Sequence, residues 1–343
     1  MIRTAILGYG RNGSTMHAGA IEKLPGFTMA AVCDIDAEAR QKAADRFGCP
    51  VYADYREMLA RGDLDLVVIV TRSSQHAPMA VDALNAGKNV MVTKPWALNE
   101  PQALEMIAAA QRNKRLLLPW LPARTACDLI RLKELVSSGA IGRVFQIRRS
   151  EYSFGLRSDW QTLREFGGGY LLNWGPHLVD QPLQLAGSPV RSVSAHMKQL
   201  NNPGDAEDMF YAVMTTADGT IVIAEWSMAE GGLPGWLIQG DRGTIRVTGE
   251  KIEIWRVSLP AVIGEKEYRQ KPVVEYSVEE LDAVNEYGES TLFGDTAVMY
   301  RAAAAALAGE KPFLVPTAGA LELTRVLDAI REAAQSGAAV AVS

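Results

Sequence analysis

Between a short apolar run, Ile2 to Leu7, and an amphipathic stretch, Ser14 to Leu24, the chain carries Gly8-Tyr9-Gly10-Arg11-Asn12-Gly13. A G-x-G-x-x-G spacing at a strand-to-helix junction gives a tight turn and lets the backbone approach a pyrophosphate. The helix N-terminus then meets that charge. Alone the spacing is weak; its setting strengthens it. Asp34 closes the second apolar run, Phe27 to Cys33, and stands 21 residues after Gly13. An acidic side chain there accepts hydrogen bonds from a ribose 2′-hydroxyl and repels a 2′-phosphate, so NAD is favoured over NADP. Arg11 and Arg40 leave some room for NADP. The plain alternative is a glycine turn beside an exposed aspartate.

The βα rhythm continues with helical Ala37 to Phe47, apolar Leu66 to Val70, helical Pro78 to Ala86, strand Asn89 to Val92 and helical Pro101 to Asn113. Leu66 to Val70 suits a parallel strand buried on both faces, and its length and flanks favour that over a buried helix turn. Repeated units of this size imply a right-handed, doubly wound parallel sheet. After Leu118 the pattern changes. A helix over Thr125 to Ser138 precedes strand-like runs at Val144 to Ser150, Val193 to Lys198, Met209 to Thr215, Thr220 to Ser227, Gly235 to Gly240, Thr244 to Thr248 and Lys251 to Trp255. Asp218-Gly219 marks a hairpin, and turn-length links suggest an antiparallel sheet. Helices over Leu292 to Ala308 and Thr317 to Ser336 end the chain. The expectation is an α/β fold. Residues 1–120 form a dinucleotide-binding parallel sheet, and residues 121–343 an α+β domain with a largely antiparallel open sheet. The final helices pack on either domain.

Composition narrows the classes. A chain of 343 residues matches two domains at roughly 150 residues each. Thirty-five basic against 40 acidic residues leave a formal charge of −5, with no basic surplus for nucleic acid. Cys33, Cys49 and Cys127 show neither disulfide nor metal-ligand spacing and read as reduced thiols, so no metal site is expected. The start of the chain lacks a signal-peptide pattern, and no apolar stretch is long enough to cross a bilayer. A cytoplasmic protein without a membrane partner is expected.

Two further segments carry chemistry. Thr93-Lys94-Pro95 follows the strand Asn89 to Val92, and the carboxyl ends of parallel strands are where open α/β sheets bind ligands. A lysine there can donate to a substrate hydroxyl or lower its pKa; it can equally be a solvated residue starting a loop. Pro95 could be cis, although few X–Pro bonds are. The second segment, Gly167-Gly168-Gly169-Tyr170-Leu171-Leu172-Asn173-Trp174-Gly175-Pro176-His177-Leu178-Val179-Asp180, predicts a helix opening at Pro176. His177 and Asp180 would share a face, joined by Asn173 if the helix starts earlier. The histidine is a natural general base, and a structural His–Asp contact is the alternative.

Together, GYGRNGSTMH at 8–17, KP at 94–95 and GGGYLLNWGPHLVD at 167–180 resemble the Gfo/Idh/MocA family of sugar and polyol oxidoreductases. LKELVSSGAIGRV at 132–144 resembles the start of its second domain. The resemblance covers nearly the whole chain and implies a Rossmann domain paired with a mixed α/β substrate domain. It also implies hydride transfer between a nicotinamide and a carbinol carbon of a sugar or cyclitol. Lys94 would polarise the reacting oxygen, and His177 would accept the hydroxyl proton. Gly8, Gly10, Arg11, Asn12, Gly13, Asp34, Thr71, Ser73 and Lys94 would hold the cofactor. Arg124, Tyr152, Trp160, Asn173 and His177 would line the substrate pocket, although the Tyr152, Arg157, Asp159 and Trp160 loop could equally cap an interface. Asn173 replaces the family's usual aspartate, and an amide cannot accept a proton as a carboxylate does. His76 is expected to be structural and His196 to face solvent or a neighbouring strand, while His17 has no assigned role. A dimer or tetramer through the second domain's open sheet face is implied. The other readings are redox-neutral glycoside cleavage with retained NAD, and a non-enzymatic dinucleotide sensor.

Overall fold

The computed structural model describes residues 1–228, 231–259 and 272–342. Strands β1 (Ile2–Leu7), β2 (Phe27–Cys33), β3 (Val51–Tyr52), β4 (Leu66–Ile69), β5 (Asn89–Val92) and β6 (Leu117–Pro119) form a parallel sheet ordered β3-β2-β1-β4-β5-β6. The order reverses between β1 and β4, which places a ligand crevice beyond their carboxyl ends. β4 is buried at every position, as a strand covered on both faces must be. The short strands β3 and β6 lacked a sequence signal; two or three residues carry no periodicity.

The second sheet holds β7 (Val144–Tyr152), β8 (Val190–Lys198), β9 (Met209–Thr216), β10 (Ile221–Ser227), β11 (Trp236–Gly240), β12 (Gly243–Thr248), β13 (Lys251–Ser258), β14 (Val273–Glu280) and β15 (Val340–Ala341). Their order is β14-β13-β12-β11-β7-β10-β9-β8-β15. The sheet is mixed, because β7 and β10 run parallel whereas the other neighbours are antiparallel. The chain leaves β7 by a long excursion rather than a hairpin turn, and that excursion carries half of the site. β14 was not anticipated. Its Val273, Val274, Tyr276 and Val278 are exposed, so it lacks the buried face that alternation announces.

Leu129, Leu132 and Leu135 of the helix Cys127–Ser137 cover one face of this sheet against Ile147, Ile238, Ile245 and Ile252. The helix Thr317–Ser336 resolves where the chain's end packs: it bridges both domains. It lies on β8 and β15, and also on β6 and the helix Glu100–Asn113. Trp96 Nε1 donates to Thr324 Oγ1 at 2.9 Å, and Glu100 N to Asp328 Oδ2 at 2.8 Å. The preceding helix is Thr296–Leu307, capped by Asp295, which accepts from Ala297 N and Val298 N. Its expected start at Leu292 is therefore too early, since the cap stops the helix on that side. Its Tyr300 hydroxyl meets buried His17 Nδ1 at 3.0 Å, so His17 ties the two domains together.

Candidate active site

The glycine loop follows β1, and Gly8 N donates to Cys33 O at 2.8 Å. A Cβ on Gly13 would lie 2.0 Å from Gly8 O, so the turn admits no side chain there. The first helix differs from expectation: a π-helical turn, Gly13–His17, precedes the α-helix Ala18–Lys23. Asp34 accepts Tyr9 N at 2.6 Å through Oδ2 and Asp36 N at 2.9 Å through Oδ1. The carboxylate is thus fixed by backbone at the rim of a cleft of about 340 Å³. Gly8, Gly10, Arg11, Asn12, Asp34 and Thr71 line that cleft from the first domain, and Arg157, Asp159, Trp160 and Gln161 roof it from the second. Arg40 Nη1 donates to Asp34 O and Ile35 O, so that nitrogen is taken by backbone. Ser73 is buried and faces Gly167 of the glycine run instead of the cleft.

Lys94 follows β5, and its peptide bond to Pro95 is cis. Its Nζ donates to both the backbone oxygen and Oδ1 of Asn173, each at 2.7 Å. Burial pushes the ammonium down to about 7, reinforced by the positive charges of Arg157 and Arg11. Beside it, His76 presents Nδ1 to Pro95 O at 2.7 Å and Nε2 to Thr71 O at 3.1 Å. It braces the loops after β4 and β5, the structural role expected of it.

The helix expected at Pro176 is instead three short turns, Tyr170–Asn173, Gly175–Leu178 and Asp180–Ala186. Pro176 and Pro182 each lack the N–H that a continuous helix would use. Asp180 accepts Arg124 Nε at 2.8 Å and Nη2 at 2.7 Å, with side chains only 2% and 8% exposed. Arg124, expected in the substrate pocket, therefore spends its planar fork on a buried partner. His177 is buried and set edge-on to Trp174, with ring centres 5.9 Å apart. Its Nδ1 has no hydrogen-bond partner among the described residues. Burial holds its pKa well below the usual imidazole range, with the charges of Lys94 and Arg149 adding to the effect.

Trp174 stacks on Trp226 at 4.6 Å and Trp226 on Tyr170 at 4.7 Å, while Phe293 meets Trp174 edge-on at 5.6 Å. Tyr152 lies in a different cavity of about 160 Å³, with Asp128, Arg149, Glu151 and Phe293. Trp160 and Tyr152, expected together, thus line separate spaces. The sequence reading missed Arg149, Trp226 and Phe293, which sit in strands or loops without a local motif. The outward-facing position of His196 on β8 matches expectation. Among the described residues there is no group of metal-ligating side chains and no helix long and apolar enough to cross a membrane.

Residues 2–119 match the model for an oxidoreductase family with an NAD-binding Rossmann fold, and residues 129–246 match the GFO/IDH/MocA C-terminal domain. The oxidoreductase YdgJ of Escherichia coli (strain K12) is 30% identical over 71% of this chain and 70% of its own length. A D-glucoside 3-dehydrogenase of the same organism is 30% identical over 64% of this chain and 66% of its own. The solved WlbA dehydrogenase of Chromobacterium violaceum, in complex with NADH and UDP-GlcNAcA, superposes with a TM-score of 0.81 at 26% identity. That superposition covers 100% of this chain and 96% of the other.

Proposed function

The chain belongs to the Gfo/Idh/MocA oxidoreductase family, and from that membership we propose that it moves a hydride between NAD and a carbinol carbon of a sugar, cyclitol or related polyol. The glycine loop and backbone-fixed Asp34 fit a dinucleotide, and a bound nicotinamide would supply the hydride chemistry. The carboxylate of Asp34 favours NAD over NADP.

The observation that carries the reading is the pair of 2.7 Å bonds from Lys94 Nζ to Asn173. A protonated lysine has three N–H groups; two engage Asn173, and the third remains for a substrate oxygen. A neutral lysine still satisfies both acceptors and turns a lone pair to the same place. With a pKa near 7, Lys94 can take the hydroxyl proton during oxidation and return it during reduction. His177, whose cation is disfavoured by burial and by Lys94, would then orient the hydroxyl as a neutral imidazole. This exchanges the two roles implied by resemblance alone. Asn173 supports the exchange, because its amide accepts from the ammonium without the charge that would raise the lysine's pKa.

The test is NADH appearance with purified protein, NAD and a panel of free sugars, cyclitols and glycosides. Turnover on a free polyol that is lost in Lys94→Ala and falls at least tenfold in His177→Ala is the expected result. Turnover surviving both substitutions would overturn the site. One observation bears on a second reading, redox-neutral glycoside cleavage: Arg157, Asp159, Trp160 and Gln161 line the cleft from the second domain, where they would contact a retained cofactor. Glycoside products without NADH, with NAD retained through gel filtration, would establish it. Bound dinucleotide with no turnover on any compound would leave the sensor reading.

A further inference from the structure

The turn Tyr170–Asn173 is pinned at both ends by residues far away in sequence. At its end, Asn173 gives both oxygens to Lys94. At its start, the first N–H groups of a helix have no partner within it. Here Tyr170 N donates to Glu207 O at 3.0 Å, and Leu171 N to Glu207 Oε1 at 3.2 Å. The residue preceding the turn is Gly169, with φ +103°, which has no side chain to cap it. A Cβ on Gly169 would sit 2.2 Å from Glu207 Oε1, so the carboxylate fills the space a local capping side chain would take. Glu207, two residues before β9, thus supplies the cap from the second sheet.

We propose that Glu207 is the positioning residue for Lys94: by capping Tyr170–Asn173 it holds both oxygens of Asn173 on the lysine nitrogen. The turn is a strut between the second sheet and the carboxyl end of β5. Four residues are too short to hold helical geometry without such help. Other charged groups bear on the two ends. Arg157 and Arg11 act on Lys94, whose charge in turn acts on His177 and His76. Arg164 and Arg331 act on Glu207, and Lys198 lines a cavity together with it. Loss of the strut frees Lys94 from two acceptors that favour its charged form, while its burial remains. Its proton affinity then falls.

This inference rests on Lys94 as the proton carrier, but its test needs no substrate. Acetylation of Lys94 by acetic anhydride across a pH series, read by mass spectrometry of its peptide, reports the titration of that one amine. Wild type and Glu207→Gln, which keeps the accepting oxygen, are expected to share a midpoint. Glu207→Ala and the one-methylene-shorter Glu207→Asp are expected to lower the lysine's proton affinity about tenfold, in the direction set by Asn173→Ala as reference. Midpoints unchanged in folded Ala and Asp variants, or a Gln variant moving as far as Ala, would overturn the role. Failure of both Ala and Asp variants to fold would mark a purely structural cap and overturn it too. A shift without turnover on any polyol would keep the positioning role and reject the dehydrogenase reading; turnover without a shift would do the reverse.

Discussion

At the residue scale, charge placement governs the site. Lys94 is lowered to about 7 by burial, so its base form grows as pH rises through that value. The oxidation rate should therefore climb through a midpoint near 7 and the reduction rate should fall through the same midpoint. Asn173→Asp should move both limbs up by about 1–3 pH units, because a carboxylate favours the ammonium; unmoved limbs would remove Lys94 from proton transfer. Arg124 gives a contrasting case. Arg124→Ala leaves Asp180 buried without its partner, which costs about 3–5 kcal/mol of stability. Denaturant unfolding would register that loss. A raised KM with unaltered stability would instead return Arg124 to the substrate pocket.

At the element scale, short turns matter more than long helices. The glycine loop works because Gly13 lies against Gly8 O. Gly13→Ala should abolish NAD binding measured by calorimetry while the first strands persist in circular dichroism; retained binding would mean the cofactor lies elsewhere. The strands and helices of the first domain could be read from the sequence because parallel strands buried on both faces are apolar throughout and glycines punctuate them. The segment 167–180 could be singled out in the sequence, but its shape could not. Its residues look like one helix, whereas the chain forms three short turns there and Asp180 pairs with Arg124 instead of His177. Lys94, Asn173 and His177 stand in local motifs; Arg149, Trp226 and Glu207 do not, because their meaning lies in what they face.

At the scale of the whole molecule, the helix Thr317–Ser336 joins the domains, and β14 lies exposed at one edge of the second sheet. Trp255 pairs with Tyr276 across β13 and β14, with Val274 and Val278 beside them on the same face. Neighbouring exposed apolar side chains of this kind suit an association surface. Sedimentation should show a dimer or tetramer that Tyr276→Lys with Val278→Lys dissociates; a monomeric wild type would exclude association through this face.

The amino-acid order alone was enough for the βα alternation, the glycine loop and the acidic residue after β2, and it singled out Lys94 and His177 as candidates. These follow from local turn chemistry and from the periodicity of burial. Folding in space settled the pairing of polar groups. Lys94 and Asn173 are 79 residues apart, and Arg124 and Asp180 are 56 apart. Which of them meet depends on sheet order and on where a helix breaks. Burial then sets the lysine near neutrality and keeps the histidine uncharged, because desolvation is a property of the packed molecule and not of any segment.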